Sequence, residues 1–69
     1  MIEVFRTNVE EAYEADRIAK TLLQHFPDSL ISFDLEDCDR ILRVKGPNLS
    51  VTQILDLVNA QGFLCSVLD

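Results

Sequence analysis

The chain has 69 residues, 48% hydrophobic and 26% charged, a composition that excludes a disordered tail and suits one small domain, residues 1–69, built on a single apolar core. Twelve acidic residues against six basic ones give a formal charge of −6. This balance argues against nucleic acid and anionic membranes as partners, since both are bound mainly through Lys and Arg, and it favours a cation or a basic protein surface.

Residues 1–7, "MIEVFRT", place Ile2 and Val4 on one face and Glu3 on the other, which is strand alternation. Asn8 followed three residues later by Glu11 has the spacing of a capping box, and a helical stripe then runs through Ala15, Ile18, Ala19, Leu22, Leu23 and Phe26. Pro27 ends that helix, because it lacks a backbone donor and disfavours helical angles at Phe26.

Two apolar runs flank the acidic break "EDCD" at residues 36–39, with Ile31, Phe33 and Leu35 alternating before it and Leu42 and Val44 after it. A hairpin is the natural reading, closed by Gly46 and Pro47. Ser50 and Gln53 offer a second capping box, Leu49 is placed to staple against Ile54, and Ile54, Leu57, Val58 and Ala60 supply the buried stripe of a second helix. Gly62 is its left-handed stop. Residues 63–69, "FLCSVLD", form a last strand with Phe63, Cys65 and Val67 on one face.

The order βαββαβ with right-handed crossovers predicts an α+β, ferredoxin-like sandwich: a four-stranded antiparallel sheet with two helices on one face. The third strand lies between the first and second, and the fourth flanks the first. Alternating strand direction then gathers the first strand–helix loop, the hairpin tip and the second helix–strand loop at one end. Glu10, Glu11, Glu14, Glu36, Asp37, Cys38 and Asp39 collect there beside Gly62 and Phe63.

Cys65 is expected as a small buried residue in the last strand, away from Cys38 at the exposed tip. No apolar run approaches the roughly 20 residues that span a bilayer, and no basic start precedes an apolar signal core. The expectation is a cytoplasmic protein whose cysteines stay as thiols. His25, the one histidine, ends the first helix at the pole opposite Cys38, so no Cys–His nucleophile assembles and no enzymatic activity is expected.

The segments "ISFDLED", "ILRVKG" and "LSVTQILDLVNAQGF", together with Ile18 followed by Leu22, resemble the heavy-metal-associated domain of copper chaperones and copper-transporting ATPases over nearly the whole chain. The family's activity lies in a Gly-Met-x-Cys-x-x-Cys loop whose second cysteine stands four residues before the position of Ile18. By that correspondence Asn8 and Val9 take the Gly and Met positions, and Glu11 and Glu14 take the two cysteine positions. Phe63 matches an aromatic that neighbours the metal loop in bacterial members. Arg6 falls where the family has an inward Val, so either Arg6 pairs with Glu11 or Glu14, or a bulge turns Phe5 inward.

Thiolates suit Cu(I), whereas carboxylates prefer hard cations, so the resemblance implies a metal-carrier frame without the family's copper chemistry. The leading expectation is a non-catalytic protein-interaction module that presents Glu10, Glu11, Glu14, Asp37 and Phe63 to a partner with a basic docking surface. It needs no cofactor. A second expectation is a metal-binding or metal-transport protein that holds a divalent cation weakly through Glu11, Glu14 and Cys38. A third is a dimeric small-molecule sensor of the same strand order.

Overall fold

The computed structural model describes residues 1–68. Its elements are β1 (Ile2–Thr7), α1 (Ala12–His25), β2 (Leu30–Asp34), β3 (Ile41–Lys45), α2 (Val51–Ala60) and β4 (Cys65–Val67). The strands form one antiparallel sheet in the order β2-β3-β1-β4, the ferredoxin-like arrangement. Asp69, the end of the expected last strand, lies outside the described residues.

Phe5, Leu42 and Val44 from the sheet, Ile18 and Leu22 from α1, and Ile54 and Val58 from α2 form one fully buried cluster, so both helices cover the same face. Removing such side chains from water is the main stabilising term in a domain of this size. Ala15 and Leu49 complete the cluster's rim, while Leu23 and Ala60, expected in the stripes, face solvent.

β1 buries Phe5 and Thr7, and its other face carries Ile2, Val4 and Arg6. No bulge is needed, because the β1–β3 register runs without interruption from Ile2↔Lys45 to Arg6↔Ile41. Nor does Arg6 pair with Glu11 or Glu14: its Nε lies 3.2 Å from Oδ1 of Asp39.

The first helix starts later than the Asn8–Glu11 spacing predicts. Glu11 is the N-cap, and the Glu14 carboxylate three residues on accepts from the Glu11 N–H at 3.2 Å. The same spacing is met three residues further along the chain, because fully buried Val9 must reach the core before the helix can turn. α2 starts at the expected place, with Ser50 Oγ accepting from the Gln53 N–H at 3.2 Å and Leu49 buried beside it. Gly62 has φ +93°, the left-handed stop.

Candidate functional site: the acidic loop pole

Three chain segments meet at the end of the sheet where β1 and β2 finish. Thr7 is the buried junction: its N–H donates to the Asp39 carbonyl at 3.0 Å, its Oγ1 donates to the Arg40 carbonyl at 2.6 Å, and Oγ1 accepts from the Val9 N–H at 3.2 Å. Asn8 ties in the third segment, its Oδ1 accepting from the Leu64 N–H at 2.8 Å. These bonds link the β1–α1 loop to the hairpin tip on one side and to the α2–β4 loop on the other.

The hairpin tip is organised by its own acids. Asp34 Oδ1 accepts from the N–H groups of Glu36 at 3.2 Å and Asp37 at 3.3 Å, and Asp37 Oδ1 accepts from the Asp39 N–H at 2.8 Å. Short acidic side chains favour such turns because they satisfy backbone donors that no strand partner reaches. Arg40 then turns in the left-handed region, φ 48°, its N–H donating to the Asp37 carbonyl at 3.0 Å and its Nη1 to the Leu35 carbonyl at 2.6 Å. Nη1 is thus committed to backbone, and the side chains of Glu36 and Asp37 stay exposed.

Glu10, Glu11, Glu36, Asp37 and Cys38 are exposed, Glu14 and Asp39 are half-buried, and Phe63 packs its ring against the core. Asp39 is held by Arg6, and Glu14 by the Glu11 backbone. One set of ligating atoms converges among the described residues: a carboxylate oxygen of Asp37, Sγ of Cys38 and a carboxylate oxygen of Asp39 lie within 4.8 Å of one another. Glu11 and Glu14 stand outside that cluster. A thiol with two carboxylates is a mixed donor set, better matched to a borderline divalent cation than to Cu(I).

Cys65 is half-buried in β4, its backbone opposite Thr7, and burial pushes its thiol from the ordinary 9.0 up to about 11. It is a packing residue. His25 is exposed at the opposite pole, its Nδ1 3.0 Å from the Thr21 carbonyl, at the other end of the molecule from Cys38. Neither the Arg6–Asp39 pair nor the Asn8–Leu64 bond was foreseen from sequence. The signal for the first was the open-face position of Arg6 in β1, level with the hairpin tip; the second has no local signal.

Compared with known proteins, the chain matches no protein-family model and no curated protein sequence. Among the described residues no helix is long and apolar enough to cross a membrane.

Proposed function

We propose that this chain is a non-catalytic interaction module on a heavy-metal-associated-like frame, docking a basic protein surface through its loop pole. The observation that supports this reading is the pole's construction: exposed Glu10 and Glu11 project from the β1–α1 loop and exposed Glu36 and Asp37 from the hairpin tip, two of the three segments cross-linked through Thr7 and Asn8. Charges held on a braced end lose little conformational freedom on binding, and complementary charge supplies on-rate and selectivity. The role is cytoplasmic, with neither nucleic acid nor membrane as partner.

The test uses a heavy-metal-associated domain with a basic loop face as probe, added to the isotope-labelled chain. Amide shifts confined to residues 8–14, 36–39 and 63 support the reading, as does their loss in a Glu11→Lys/Glu14→Lys variant. Binding that survives the double charge reversal sinks it.

The convergence of Asp37, Cys38 and Asp39 favours a second reading, a divalent-metal site at the hairpin tip. In this form Cys38 acts with its neighbouring acids, and Glu11 and Glu14 join only if the two loops close on the ion. Titrating Zn(II), Mn(II) and Ca(II) separately into the reduced chain distinguishes the two. Saturable micromolar changes at residues 36–39 select the metal site, and diffuse millimolar shifts leave the docking module.

A further inference from the structure

Among the described residues no helix or strand covers the face of the sheet opposite the helices, and its side chains follow from the strand registers. Across β2, β3, β1 and β4, the row nearest the loop pole reads Asp34, Ile41, Arg6, Ser66. The middle row reads Ser32, Arg43, Val4, with Leu68 next to Val4 through its N–H to the Val4 carbonyl at 3.0 Å. The far row reads Leu30, Lys45, Ile2. Leu30 is 71% exposed and Ile2 57%.

Two features set this face apart. Its strands carry three of the six basic residues of the chain, Arg6, Arg43 and Lys45, and the acid Asp34, while Asp37 and Asp39 of the hairpin tip line its pole end beside Ile41 and Arg43, with Asp39 paired to Arg6 of the same chain at 3.2 Å. In every row, moreover, the two central strands carry one cation and one aliphatic residue: Ile41 with Arg6, Arg43 with Val4, Lys45 with Ile2.

We infer that this open face is a self-association surface whose occupant is a second copy of the chain, related by a twofold axis parallel to the strands. Such an axis exchanges β3 with β1. It lays Arg43 over Val4 of the second copy, Arg6 over Ile41 and Lys45 over Ile2, so that no two cations meet and each long stem covers an aliphatic side chain. It also brings Asp34 beside Arg6 of the second copy. A twofold axis perpendicular to the strands would instead set Arg43 against Arg43.

Glu14, Asp16 and Asp56 lie on the helices and Glu10, Glu11 and Glu36 at the loop pole, so the pairing keeps these six acids away from the seam. Face-to-face sheets pack about 10 Å apart with strands roughly 30° from parallel, which this alternation tolerates. No aromatic side chain lies on the face to stack a nucleotide base, which sets it apart from a single-strand RNA platform.

Four strands about 4.8 Å apart and five residues at about 3.3 Å give a patch of roughly 300 Å² in projection, which is small for a specific interface. The association is accordingly weak and reversible. Sedimentation equilibrium of the reduced chain between ~10 μM and ~1 mM should show monomer passing to dimer and no larger species, with dilution-dependent amide shifts at Ile2, Val4, Arg43 and Leu30.

Two variants at one solvent-side position test the register. Val4→Lys sets a cation against Arg43 of the second copy and should weaken the dimer by about tenfold or more, whereas Val4→Glu pairs with that Arg43 and should preserve or tighten it. Thermal unfolding of both variants verifies that each is folded. A chain that stays monomeric at ~1 mM overturns the inference. Equal weakening by both variants, or shifts centred on the loop pole, overturns it as well.

Discussion

Asn8 and Leu64, 56 positions apart in the chain, are joined by a 2.8 Å hydrogen bond from the Leu64 N–H to Asn8 Oδ1. This bond holds the α2–β4 loop against the β1–α1 loop, and it is exposed, so water replaces the lost acceptor when the side chain is shortened. Asn8→Ala should therefore destabilise the fold by only about 0.5–1.5 kcal/mol. Its distinctive sign is local. Amide exchange at Leu64 should accelerate well beyond the global change, and unchanged protection there would mean the bond braces nothing.

Thr7 performs the equivalent task from a buried position, and the same deletion costs more there. Thr7→Val keeps the shape but leaves the buried Val9 N–H without its acceptor and the Arg40 carbonyl without its side-chain donor. A loss of about 1–3 kcal/mol is expected in urea unfolding, since no water reaches the Val9 N–H to compensate. If Thr7→Val costs no more than Asn8→Ala, the junction is wetter than its burial implies.

The two glycines are constrained for different reasons, which gives an ordering to measure. At Gly62 a Cβ would meet nothing within 4 Å, but φ is +93°, so Gly62→Ala should cost about 1 kcal/mol through backbone strain alone. At Gly46 a Cβ would lie 3.0 Å from both Cα and Cβ of Ser29. Ser29 is buried and its hydroxyl donates to the Phe26 carbonyl at 2.6 Å, so it cannot retreat. Gly46→Ala should cost more, about 1–3 kcal/mol. Thermal midpoints in the reverse order would contradict this account.

The element order and the strand order were legible in the sequence because each element carries strong local marks: Pro27 after α1, the acidic break at 36–39, Ser50 with Gln53, and Gly62. The buried face of β1 was harder to read. Ile2, Val4 and Phe5 put apolar side chains on both faces, so alternation alone cannot choose between them, and the helices select the side of Phe5. The start of α1 was ambiguous because Asn8 and Glu11 each have an acid three residues on, and burial of Val9 decides in favour of Glu11. At the pole, the gathering of acids followed from topology. The bonds that brace it, Thr7 to Arg40 and Asn8 to Leu64, join residues whose spacing depends on three-dimensional closure and leave no periodic trace.

Cys65 gives the fold a dependence on alkaline pH whose sign can be worked out. Burial raises its thiol from 9.0 in the unfolded chain to about 11 in the folded one. Below pH 9 both states hold the proton and Cys65 contributes no slope. Between 9.0 and about 11 the unfolded chain releases the proton while the folded chain retains it, so the unfolded state binds fewer protons and stability falls as pH rises. Urea midpoints measured from pH 7 upward should therefore decline more steeply for the native chain than for Cys65→Ala, and the difference between the two isolates the Cys65 contribution. Iodoacetamide labelling at pH 8 offers an independent reading, in which exposed Cys38 is modified first and Cys65 only as the chain opens. Parallel pH curves for the two proteins, or equal labelling rates at the two cysteines, would show that the β4 thiol is solvated and that it is not a packing residue of the core.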